Sequence, residues 1–62
     1  MKYKVNVYYE YVASIEVEAD TPEQASAIGY NQAEGLLTED LKYVGYTNTE
    51  VWQDNELILT EN

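Results

Sequence analysis

Val17-Glu18-Ala19-Asp20-Thr21-Pro22-Glu23-Gln24-Ala25 decides the fold, because apolar alternation with period two gives way here to the start of a helix. Thr21 has the side chain of an N-cap, Pro22 suits the first helical position, and Glu23 favours the positive end of the helix dipole. Gln24 completes a Thr-x-x-Gln capping box. The helix is expected to run to about Glu34 and stop at Gly35, with Ala25, Ile28, Gly29, Gln32 and Leu36 on one face. Gly29 in mid-helix costs ~1 kcal/mol relative to Ala, so it reads as a place where the helix lies close on a sheet.

Upstream, Tyr3, Val5, Val7 and Tyr9 alternate with Lys2, Lys4, Asn6 and Tyr8, and Ile15, Val17 and Ala19 alternate with Ser14, Glu16 and Glu18. Two strands are expected, with a turn near Glu10 to Val12. Pairing Val7 with Ile15, Val5 with Val17 and Tyr3 with Ala19 puts the apolar residues on one face. It also sets Lys4 opposite Glu18 and Lys2 opposite Asp20. Downstream, Thr38-Glu39-Asp40-Leu41 reads as a capped turn or loop. A strand from Tyr43 to Trp52 follows, bulged or split where Gly45 and Thr47-Asn48-Thr49 break the alternation. Asp54-Asn55 fits a two-residue turn, and Glu56 to Thr60 a last strand paired back on Val51 and Trp52.

The expected class is therefore α+β: a single domain over residues 1–62 with the order β-β-α-β-β, its helix on one face of a small antiparallel sheet. The second face stays open and carries Asn6, Tyr8, Val12, Glu16 and one side of the 43–52 strand. Three Lys+Arg against 12 Asp+Glu, with no His, give a net charge of -9. Such a chain, with no Arg, is unsuited to direct contact with nucleic acid or anionic membrane. Without Cys or His there is no disulfide framework, no thiolate or imidazole metal site and no Ser–His or Cys–His nucleophile pair. Seven Tyr, one Trp and a content of Ile, Leu and Val just over the roughly 20% associated with folding favour an ordered domain. Uncharged runs such as Ala25 to Ala33 fall far short of the roughly 20 apolar residues of a spanning helix, and a cytoplasmic location is expected.

Glu16 and Glu18 lie two apart on one strand face, roughly 6.6 Å along it, but alternating Glu on a strand more simply forms a solvated face than a catalytic pair. Glu39-Asp40 and Asp54-x-Glu56 do not match a Ca²⁺ loop, and capping and turn chemistry account for Asp40 and Asp54. No cofactor, metal or enzymatic activity is expected. What remains is surface: carboxylates interleaved with aromatics, a combination suited to a basic host protein, including one that binds nucleic acid. The candidate carriers are Glu10, Glu16, Glu18 and Tyr8, with Trp52 as an anchor. The alternative is an accessory protein that self-associates through the same face, as a homodimer, with its acidity serving solubility.

The stretch Val17 to Ala25, following the strand Lys2-Tyr3-Lys4-Val5-Asn6-Val7, resembles the small DpnD/PcfM-like proteins of phages and other mobile elements. The similarity covers about residues 2–47 and implies a β-β-α-β unit without an established catalytic role. Gly29 and the acidic tail strand from Glu50 to Asn62 depart from it. In composition, short, acidic, Cys-free and Tyr-rich, the chain also looks like phage-encoded inhibitors of host defence, including anti-CRISPR proteins; that likeness carries over no residues.

Overall fold

The computed structural model describes residues 1–36 and 45–62, which form β1 (Lys2–Tyr8), β2 (Val12–Glu18), α1 (Pro22–Gly35), β3 (Asn48–Gln53) and β4 (Glu56–Glu61). This is the expected α+β class and order. The turn read at Thr38 to Leu41 and the strand start read at Tyr43 lie outside the described residues. The strands make one antiparallel sheet in the order β2-β1-β3-β4, in which the most deeply buried strand, β1, takes a central place. The helix covers one face, and Tyr3, Val5, Val7, Tyr9, Val17, Ala19, Ala25, Ala33 and Val51 form the core between them.

The helix begins as its sequence dictates. The Gln24 N–H donates to Thr21 Oγ1 at 3.1 Å, while Gln24 Oε1 accepts from the Asp20 N–H at 3.0 Å, one residue earlier than a standard capping box would place it. A cap of this kind contributes ~1 kcal/mol. The end is also at Gly35, but no described glycine has positive φ, so Gly35 closes the last turn and the Leu36 N–H bonds back to the Ala33 carbonyl at 3.0 Å.

The buried stripe differs from the expected one. It comprises Ala25, Ser26, Gly29 and Ala33, with Ile28 half-buried beside it, whereas Gln32 and Leu36 are exposed. The cause is the close approach at Gly29: a Cβ there would lie 2.5 Å from Val5 Cγ1. The helix therefore seats along its smallest side chains rather than its largest.

The β1–β2 register is also corrected. Lys2 pairs with Glu18, Tyr3 with Val17, Lys4 with Glu16 and Val5 with Ile15, two positions from the expected pairing and with the same residues facing the helix. The expected register would leave Tyr11 alone to reverse the chain between paired Glu10 and Val12. The actual one leaves Tyr9-Glu10-Tyr11 between Tyr8 and Val12, with the Tyr9 N–H donating to the Tyr11 carbonyl at 2.7 Å. Lys4→Glu should accordingly cost up to ~1 kcal/mol in a denaturant titration. Adding Glu16→Lys should restore the loss; better restoration by Glu18→Lys would contradict this register.

The expected break falls at Gly45 to Thr47, which lie outside the strand, and does not extend to Asn48 and Thr49. Asn48 and Thr49 belong to β3, and Thr49 is fully buried because its hydroxyl has a partner: Oγ1 lies 2.7 Å from the Tyr46 hydroxyl. With that bond made, Thr packs as a β-branched residue like Val. The irregularity sits in the neighbouring strand. Val51 pairs with Leu59 and Trp52 with Leu57, which leaves Ile58 as the extra residue of a bulge. Asp54 and Asn55 form the expected turn, with φ of 52° and 67°, the left-handed pair that suits a two-residue hairpin. Among the described residues, no helix is long and apolar enough to cross a membrane.

Candidate protein-binding site

On the face away from the helix, β1 presents Lys2, Lys4, Asn6 and Tyr8, and β2 presents Val12, Ser14, Glu16 and Glu18. Asn48, Glu50 and Trp52 of β3 join them through pairing with Tyr8, Asn6 and Lys4. Four of the residues singled out by sequence, Tyr8, Glu16, Glu18 and Trp52, thus share one surface. Glu10 does not: it lies exposed in the β1–β2 turn, at the end of the sheet.

The charges on this face are unevenly compensated. Glu16 faces Lys4 and Glu18 faces Lys2 across the β1–β2 ladder, so each acidic position of β2 has a cation opposite it. Glu50 sits between Asn6 on β1 and Thr60 on β4, both neutral. It is also the best-fixed carboxylate of the face. Tyr8 donates its phenol hydrogen to Glu50 Oε1 at 2.9 Å, and Trp52 Nε1 donates to the same oxygen at 3.1 Å. The second oxygen, Oε2, receives neither bond. Next to this group, Ser14 Oγ donates to Asn6 Oδ1 at 2.7 Å, which ties the side chains of β1 and β2 together.

The hydrogen bond to Glu50, followed by burial and the Glu50 charge, raises the pKa of Tyr8 above that of an ordinary phenol. Tyr8 therefore stays protonated and remains a donor. Sequence reasoning misses Glu50. Reading 47–49 as a break hides the alternation Asn48, Glu50, Trp52, which by itself places Glu50 beside Trp52 on one face.

Beside Trp52 the face dips into a depression of about 600 Å³, open to solvent, lined by Lys2, Lys4, Asn6, Glu16, Gln53, Asp54 and Asn55 among others. Its walls mix both signs of charge and form a groove rather than an enclosure. Among the described residues, no three carboxylates come together in a way that could hold a metal ion.

Among the described residues, Tyr9, Tyr11, Tyr30 and Tyr46 form a second aromatic group, away from the open face. Tyr9 stacks on Tyr11 with centroids 5.4 Å apart, Tyr46 meets Tyr9 and Tyr30 edge to face at 6.0 and 5.1 Å, and the Tyr9 hydroxyl donates to Glu34 Oε2 at 2.5 Å. Burial, reinforced by Glu34, holds the Tyr9 phenol far above its usual range, so the hydroxyl keeps the proton it donates. These rings bind α1 to the sheet, while Tyr8 and Trp52 lie on the open face. Compared with known proteins, the chain matches no family model, no curated protein and no solved structure.

Proposed function

We propose that the protein is a non-enzymatic, acidic protein-binding module that occupies a basic, nucleic-acid-binding surface of a host protein, as a phage-type inhibitor does. The observation that carries this reading is Glu50, a carboxylate on the open face fixed by Tyr8 and Trp52 in a chain of net charge -9. A cationic surface approaching this face meets long-range attraction first and then a rigid acceptor flanked by aromatic rings, the residue types that anchor interfaces.

Self-association is the second reading, favoured by Leu57 and Ile58, 42% and 36% exposed on the edge strand β4. Against it stands the mutual repulsion of two copies that each carry -9.

The two readings respond oppositely to salt. Immobilised protein is exposed to a bacterial lysate and eluted with a rising salt gradient, and the recovered partner is then tested for nucleic-acid binding with and without the chain. The expected result is release of a basic protein by salt, with duplex DNA or RNA and the chain excluding one another from it. Retention that strengthens with salt, together with a dimer in sedimentation, would replace this reading with self-association.

A further inference from the structure

Glu50 occupies an unusual position for a surface carboxylate. Along β3 it lies one side-chain repeat from Trp52, roughly 6.8 Å, and Tyr8 reaches it from the diagonal position on β1. Both donors converge on Oε1, which pins the carboxylate between an indole and a phenol while Oε2 takes neither bond. A pinned carboxylate gives up little side-chain freedom when it binds a cation, so its contact is made at lower entropic cost than one from a free Glu. Its neighbours directly across both ladders, Asn6 and Thr60, are neutral, and Lys4 stands only diagonally to it, opposite Trp52.

Resting on the proposed role as a module for basic surfaces, we propose that the Tyr8–Glu50–Trp52 cluster is the anchor of the open face and that it takes an arginine side chain of the partner, in preference to lysine. A guanidinium is planar and weakly hydrated. It can donate to the carboxylate through its edge while its face lies on an aromatic ring. An ammonium is a compact, strongly hydrated charge that makes the first contact but gains less from the second. Glu16 and Glu18, opposite Lys4 and Lys2, offer no comparable arrangement.

The test uses hexa-arginine and hexa-lysine peptides, which carry equal charge and differ in the cationic group. The intact protein should bind the arginine peptide about tenfold more tightly. In the unmodified protein, the indole N–H resonance of Trp52 should move with arginine and far less with lysine. Glu50→Gln keeps an acceptor for Tyr8 and Trp52 but loses the charge, and should bring the arginine-to-lysine ratio close to one. Glu23→Gln, on the helix and removing the same single charge, should weaken both peptides alike and preserve the ratio. Equal binding of the two peptides by the unmodified protein, with Glu50→Gln no different from Glu23→Gln, would overturn the anchor while leaving the proposed module intact. Failure to bind either peptide would overturn both.

Discussion

Gly29→Ala is expected to lower stability by ~1–3 kcal/mol, the overpacking range, although the same change in an exposed helix gains ~1 kcal/mol of helix propensity. The new Cβ would lie 2.5 Å from Val5 Cγ1 and 2.7 Å from Val5 Cβ. Val5 cannot yield. It is β-branched, fully buried, and hydrogen-bonded through its strand to β2 on one side and β3 on the other. The helix must lift instead, which loosens Ala25 and Ala33 where they close on the sheet. For a domain of this size each kcal/mol corresponds to ~4–8 °C in Tm, so thermal unfolding followed by circular dichroism will resolve the effect. Val5→Ala should destabilise the parent but cost much less in the Gly29→Ala background, because it frees the space the new methyl needs. A Gly29→Ala protein as stable as the parent would show that the helix does not depend on this contact.

That contact also shows how far a one-dimensional reading reaches. The Thr21 cap, the Pro22 start and the Asp54-Asn55 turn are local features whose chemistry involves neighbours in sequence, and each is legible from the residues alone. The register is not, because two alignments of β1 and β2 keep the same faces and both offer lysine–carboxylate pairs. The geometry of the reversal at Tyr9-Glu10-Tyr11, not the apolar pattern, chooses between them. The helical stripe escapes the sequence for a related reason. Periodicity favours large apolar residues, whereas this interface is defined by how closely backbones approach, and so by Ala25, Ser26, Gly29 and Ala33.

The candidate site is legible in part. Tyr8, Glu16, Glu18 and Trp52 do share the open face, but their energetic ranking depends on what lies across each ladder. Alternating Glu on β2 has the pattern of a row of free charges, yet Lys4 and Lys2 stand opposite. In the sequence Glu50 is one scattered carboxylate among many; its distinction comes from Tyr8, remote in the chain, which donates to it.

The same ranking predicts that Trp52→Ala will weaken binding to the salt-eluted partner by about 30-fold or more, the range of an interface hot spot. Two contributions disappear together: the half-buried ring itself, and the Nε1 donor that holds Glu50 Oε1. Trp52→Phe separates them, since it keeps an aromatic surface and removes only the donor, and it should fall between Ala and the parent. Melting curves of both variants are needed alongside the titrations, because Trp52 also pairs with Lys4 and Leu57 in the sheet. Replacing Glu16 and Glu18 together by Gln should do less than Trp52→Ala, acting mainly on the association rate and its salt dependence. Those carboxylates stand opposite lysines, so a cationic surface meets them already partly compensated and registers only a modest electrostatic loss when they go. If the double Gln variant loses more affinity than Trp52→Ala, the acidic edge of β2 is the true contact and the aromatic-held carboxylate is not. If instead Trp52→Ala binds unchanged while its fold is intact, the open face of the sheet is not where the partner sits.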